Sequence, residues 1–237
     1  MFHGIKLVLG SAFALSTLGI VATNAAADQA LTVTYDKIVV LKIVPHLPVE
    51  KRTVETWSAS NDPLTRRQIV TIAGGPRLEI GTGPGHDHTL GSEQVNYLYD
   101  ASTDTIYRTG WLPVRAGAMR TPEQEFKDVL SESGVHLAGT RTYQGRTVYV
   151  VELKTPAETG TTYVDEQTFE PLLNDVRGTD IRTVVRTLAH RTLPATAANL
   201  ELTSLPAAHP GAHTSQQASP KIRQLYGEAA FLSGAHG

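Results

Sequence analysis

Residues 163–173 read YVDEQTFEPLL: a β-prone pair, an acidic corner, a Thr, an aromatic residue and a Pro-broken apolar run. Asp165 and Glu166 beside Thr168 have the composition of an acid/base site. The same residues also spell a hairpin corner, in which Asp accepts backbone N–H bonds and Thr leads into the next strand. An internal echo decides between the two. Residues 97–103 read YLYDAST and residues 162–168 read TYVDEQT, each a strand, an Asp, two variable residues, a Thr and a further β-prone run. A catalytic carboxylate has no need of a twin with the same turn grammar, so the block reads as a corner, with Pro171 marking a bulge or strand edge.

Outward from that corner, short runs rich in Val, Ile, Thr and Tyr alternate with Gly, Asp, Asn and Pro. Strands are expected at 32–44, 49–58, 67–73, 77–81, 94–99, 105–109, 139–143, 146–154, 161–165, 170–177 and 181–192. Their even spacing is that of an antiparallel sheet or barrel. The run LTVTYDKIVVLKIV at 31–44 also has the apolar content of a helix, and both readings stand. Tyr143-Gln144-Gly145-Arg146 and Arg177-Gly178-Thr179-Asp180 read as further hairpin corners.

One helix is signalled clearly. Thr121-Pro122-Glu123-Gln124 supplies an N-cap, a Pro at the first helical position and a capping-box Gln. Phe126, Val129 and Leu130 then share one face, and Gly134 is placed to close the end. Strand parity puts Thr147, Tyr149, Val151 and Leu153 on one side and Arg146, Glu152 and Lys154 on the other. In the same way Ile181, Thr183, Val185 and Ala189 lie opposite Arg182 and Arg186. The expectation is a sheet covered on one side, with the helix on its apolar face.

The N-terminus, MFHGIKLVLGSAFALSTLGIVATNAAADQA, has Lys6, an apolar stretch at 7–22 and small residues ending at Ala27. That is the pattern of a secretory signal over 1–27, with an N-terminal anchor as the alternative. Export to the periplasm, cell envelope or extracellular space is therefore expected. The net charge of −2 supplies no basic stripe, which argues against nucleic acid as a partner. There is no cysteine, which removes thiol catalysis, thiolate metal sites and lipid attachment through a Cys. Residues 28–211 read as a single domain, and 212–237 as a polar, flexible tail with a short helix over Lys221 to Leu232 as an alternative within it.

The segments TYQGRTVYVVEL, TTYVDEQTFEPLL, the Arg-rich strand after them and LPATAANLELTSLPAAHPGA together resemble the C-terminal half of the LolA/LolB-like lipoprotein-carrier superfamily. That superfamily includes the RseB/MucB-like periplasmic sensors. Upstream, VETWSASNDPLTRRQIV and LYDASTDTIYRTG fit its early hairpins, so the resemblance spans roughly residues 49 to 211. It implies a mainly β (α+β) fold, a curved antiparallel half-open β-barrel wrapped around one or more helices. It also implies an apolar cavity for a lipid or the acyl chains of a lipoprotein. Members usually begin with a helix after the signal, whereas 28–48 here is β-prone and contains Pro45 and Pro48.

The residues expected to line such a site are Tyr149, Val151, Leu153, Ile181, Val185 and Trp57, with Phe126, Val129 and Leu130 as a helical plug. No catalytic residue, metal or cofactor is expected. His86-Asp87-His88 lacks further fixed ligands, and Pro210 and Gly211 separate His209 from His213. No nucleophile elbow or zinc-binding helix motif is present. The expected role is an exported, non-enzymatic carrier. A sensor acting on a membrane-bound regulator, and a secreted hydrolase using Asp165 and Glu166, are the alternatives.

Overall fold

A computed structural model describes residues 31–60, 62–84, 93–113, 121–215, 219–222 and 224. The signal expected over 1–27 and the His86-Asp87-His88 residues lie outside the described residues.

Among the described residues, twelve strands form one sheet. They are β1 (Thr32–Ile43), β2 (Glu50–Ala59), β3 (Asp62–Ile72), β4 (Arg77–Pro84), β5 (Glu93–Asp100), β6 (Thr105–Pro113), β7 (Val135–Tyr143), β8 (Arg146–Lys154), β9 (Thr159–Asp165), β10 (Pro171–Arg177), β11 (Arg182–Pro194) and β12 (His213–Ser215). Helix α1 (Pro122–Leu130) separates β6 from β7, and α2 (Ala197–Glu201) and α3 (Leu205–Ala208) follow β11. The strand order is β12-β6-β5-β4-β3-β2-β1-β11-β10-β9-β8-β7, so the sheet is open, ending at β12 and β7. All pairings are antiparallel except β12 on β6. This is the mainly β, open-sheet fold class expected from the sequence. The strand reading of 31–44 prevails: β1 lies mid-sheet between β2 and β11, where two-sided pairing suits its β-branched run.

The opening block is a corner. Asp165 Oδ1 accepts the backbone N–H of Gln167 at 2.9 Å and of Thr168 at 3.0 Å, and Phe169 takes a left-handed φ of 58°. Asp165 Oδ2 pairs with Arg146 Nη1 at 3.2 Å. Its twin behaves alike: Asp100 Oδ1 accepts the Ser102 N–H at 2.9 Å. Pro171 sits at a bulge, since the β10–β9 register shifts between Pro171 and Leu173. At the β7–β8 turn, Gln144 and Gly145 both have positive φ, the pattern of a two-residue hairpin.

Helix α1 is capped as expected. Thr121 Oγ1 accepts the Gln124 N–H at 3.2 Å and Gln124 Oε1 accepts the Thr121 N–H at 2.9 Å. Its end differs from expectation. The C-cap is Ser131 in a right-handed conformation, whose hydroxyl donates to the Asp128 carbonyl. Gly134, at φ 84°, instead turns the chain into β7.

Register assigns every strand residue to one of two faces. On the α1 face, Ile38, Val54, Val70 and Leu78 stand opposite one another across four strands, joined by Ile80 and Leu98. The same face carries Phe126, Val151 and Val164, with Tyr149, Leu130, Val135 and Phe169 against them. The expected one-sided sheet is not what forms. On the opposite face Leu205 of α3 is fully buried, and Val148 is too. The segment after β11 folds back over β4, with the Leu205 Cβ seated where a Gly81 side chain would be. The stretch expected as a flexible tail also contributes: β12 extends the β6 edge, and Ile222 packs among Ile38, Val54 and Leu98.

The contact at Gly81 predicts a specific mutant cycle. A Cβ at position 81 would lie 2.7 Å from the Leu205 Cβ, which is fixed to the backbone and cannot swing away. Gly81→Ala should therefore cost about 1–3 kcal/mol in urea unfolding, and much less in a Leu205→Gly background, which removes that Cβ. An equal cost in both backgrounds would show that α3 does not sit there.

Candidate functional site

The α1 face is built by local sequence rules and then closed by short elements. Phe126 projects from α1 and meets Tyr149 of β8 at a centroid distance of 5.1 Å and Phe169 of the corner at 5.6 Å. Phe126 is the one buried residue of α1. Beyond this aromatic group, Thr162 and Asn174, both buried, form a polar step at 3.2 Å between β9 and β10. Val185 and Val40 follow on β11 and β1, packed against the second apolar cluster that Ile222 closes.

The expected lining residues divide accordingly. Phe126, Leu130, Tyr149 and Val151 come together in one cluster, and Val185 joins the other. Leu153 and Val129 are half-buried and belong to neither cluster. Ile181 lies ahead of β11 in the β10–β11 corner, its carbonyl accepting the Gly178 N–H at 2.8 Å. Trp57 falls on the opposite face by register. It packs on Tyr35 at 5.1 Å with the Arg67 guanidinium 5.3 Å from its ring centre. Arg67 bonds the buried Glu79 carboxylate, which also holds His209 Nε2 at 2.8 Å, and His209 stacks on Tyr99. That network ties the α3 segment to the sheet and explains Trp57 as packing.

Three ionisable residues absent from the expected set lie on the α1 face. Asp36 of β1 stands directly opposite His190 of β11, and Asp36 shares its face with Ile38 two residues along. His190 Nδ1 lies 2.7 Å from Asp36 Oδ1 and 3.1 Å from Glu170 Oε2. Strict alternation from Val185 would send His190 to the other face. A bulge at Leu188 resets the parity: Ile38 pairs with Thr187, and Lys37 with Ala189. The exposed Leu188 in a long β-prone run is the only local trace of that bulge.

Their electrostatics follow from the packing. Burial pushes the Glu170 carboxyl up to about 7, with Asp36 and Asp165 adding to the effect and His190 opposing it. The hydrogen bond to Asp36 raises His190 above the usual histidine range, against the effect of burial. At the corner, burial opposes ionisation of Asp165, yet the Thr168 and Gln167 N–H groups and Arg146 hold it below the usual range. Asp165 is thus committed to the turn and Glu166 is exposed. Among the described residues no group of three metal-ligating side chains is disposed to hold a metal ion. None of the described helices is long and apolar enough to cross a membrane.

No protein-family model and no curated protein matches this sequence. Among solved structures, the chain is similar to a DUF1329 family protein from Desulfovibrio piger, with 14% identity, 74% of this chain and 90% of that one covered, and a TM-score of 0.32. It is similar to the Pseudomonas aeruginosa MucA/MucB complex structure at 11% identity, with 70% of this chain covered and a TM-score of 0.40. There it spans 54% of the matched chain, about half its length. A LolA superfamily protein from Nitrosomonas europaea matches at 11% identity over 73% of this chain and 90% of that one, with a TM-score of 0.31. These names include the superfamily that the sequence motifs resemble. At such scores the likeness is one of strand arrangement, and nothing about function follows from it.

Both raised groups favour protonation in the folded state. The stability they contribute is complete below their unfolded values, 4.5 for the Glu170 carboxyl and 6.5 for the His190 imidazole. The Glu170 part is lost as pH rises through about 7, and the His190 part as pH rises beyond the usual histidine range. The melting temperature of the protein should fall between about pH 5 and about pH 8. Glu170→Gln, which stays neutral, should flatten that slope and gain up to about 3 kcal/mol at the alkaline end. A Gln variant with the same pH slope would contradict this account of Glu170.

Proposed function

We propose that this is an exported, non-enzymatic binding protein that holds a lipid, or the acyl chains of a lipoprotein, on the α1 face. The observation that carries the reading is the pair of apolar clusters on one face of an open sheet, each met, among the described residues, by one buried apolar side chain from outside the sheet. One is met by α1 through Phe126, the other by the helical turn at residues 220–222 through Ile222. Covers of this size are displaceable. Exposing a buried Phe costs about 1.5–3 kcal/mol, and burying an acyl chain returns about 0.8 kcal/mol per CH₂. About four methylenes therefore offset the loss of Phe126, and a fatty chain has many more. Binding of this kind needs no bond-making step, so uptake and release follow from burial alone.

Transfer of cargo to a membrane-bound transporter and sensing of cargo by a membrane-bound regulator would use the same face. They differ in the partner that meets it. A hydrolase centred on Asp165 and Glu166 fits less well, because Asp165 is already engaged by two backbone N–H groups and Arg146.

Native mass spectrometry of the protein purified from its own envelope should show a population carrying noncovalent lipid. The delipidated protein should take up a fatty-chain probe in vitro. An Asp165→Ala/Glu166→Ala double variant that remains folded should bind the same probe. A consistently ligand-free mass with no uptake would overturn the carrier reading, as would a hydrolytic turnover lost with those two carboxylates.

A further inference from the structure

Besides the Thr162–Asn174 step and the Glu50-paired Arg52, the α1 face carries one polar row beside its apolar clusters. His190, Asp36, Thr56 and Gln68 stand opposite one another across β11, β1, β2 and β3. Next to it, two residues along each strand and so about 7 Å away, runs the apolar row of Ile38, Val54 and Val70. Thr56 and Gln68 satisfy each other at 3.2 Å. Asp36, His190 and Glu170 do not use all their capacity. Their mutual contacts employ one His nitrogen and one oxygen of each carboxylate. His190 Nε2, Asp36 Oδ2 and Glu170 Oε1 have no partner among the described residues. None of the three is sealed from solvent, since among the described residues the one buried side-chain atom without a hydrogen-bond partner is Glu79 Oε2. Phe169, the neighbour of Glu170, belongs to the Phe126 cluster, and Ile38, two residues from Asp36, belongs to the other. The polar group therefore lies between two apolar surfaces.

We infer that Asp36, His190 and Glu170 form a polar anchor for the head group of an amphiphile whose chain lies on the apolar clusters, and that this head group is uncharged and bears hydroxyls. The inference rests on the α1 face being the acyl site. The chemistry selects the head group. A nitrogen flanked by two carboxylate oxygens offers hydrogen-bond partners to a hydroxyl, which both donates and accepts. Above about pH 7, where Glu170 is ionised, two carboxylates against one imidazole repel a phosphate or a fatty-acid carboxylate. The nearby Arg146 does not compensate, because it is paired with Asp165 at 3.2 Å.

Titration calorimetry on the full chain at about pH 8, where Glu170 is ionised, tests this with three probes: 1-monopalmitoylglycerol, methyl palmitate and palmitate. Monopalmitoylglycerol should bind most tightly and palmitate most weakly. His190→Ala should weaken monopalmitoylglycerol roughly three- to tenfold and leave methyl palmitate unchanged. Because His190→Ala leaves two carboxylates together and risks misfolding, Glu170→Gln provides the second variant. It keeps the size and an acceptor oxygen, and it should strengthen palmitate binding several-fold. A wild-type protein that binds palmitate as well as monopalmitoylglycerol overturns the anchor, as does a palmitate affinity unmoved in Glu170→Gln. So does a His190→Ala variant that weakens the ester and the glyceride alike. In each of those cases a chain still binds and the acyl site stands. Binding of none of the probes overturns the acyl site and the anchor together.

Discussion

The β1–β11 ladder is the constraint on which the rest of the structure depends. Strands β1 to β6 form one meander and β7 to β11 another, each paired between chain neighbours. Only β1 against β11 joins them, over the full run from Thr32↔Pro194 to Ile43↔Arg182. Closing that pairing spans most of the domain, with Asp36 and His190 separated by 154 positions. Local hairpins are inexpensive in loop entropy, whereas this closure is not, so the fold's single face continuity hangs on one long pairing. The Leu188 bulge within it fixes which side chains reach the α1 face. Without that extra residue His190 would point away from Asp36.

The two faces then diverge in chemistry. On the face covered by α3, Arg67, Glu79 and His209 form a buried ionic network, Tyr99 stacks on His209, and Gly81 leaves room for Leu205. Removing one partner from such a network strands a buried charge, which is among the costlier changes a core can suffer. On the α1 face the cover among the described residues is Phe126 and Ile222, two buried apolar side chains from outside the sheet. One side is anchored by specific pairing, while the other is closed by contacts that a methylene chain can replace at similar cost. That asymmetry, more than any single residue, is what gives the α1 face its proposed role.

Much of this was legible in local chemistry. The Asp165 and Asp100 corners, the Gln144-Gly145 turn and the Thr121 capping box are decided within a few residues, and the structure holds all of them. The grouping of Phe126, Tyr149 and Val151 follows from helix and strand periodicity, and it too is present. What was not legible depends on partners distant in sequence. Trp57 looked like a pocket aromatic, but parity alone does not say which face of a sheet is the apolar one; its pairing with Tyr35 and Arg67 places it opposite. His190 was hidden by a bulge with little sequence signature. The covering of the first face by Ile222 comes from a segment whose Ala-, Ser- and Gly-rich composition reads mostly as tail, and that of the second face by Leu205 depends on the distant Gly81.

The account turns on one claim, that an acyl chain lies across the α1 face between the two clusters. Isotope-filtered NMR of the labelled protein with a bound unlabelled 1-monopalmitoylglycerol reads this directly through contacts between chain methylenes and protein methyl groups. The account predicts contacts to Val151, Val164, Ile38 and Val54, with the chain spanning both clusters. Contacts confined to the α3 face, around Leu205 and Trp57, would contradict it.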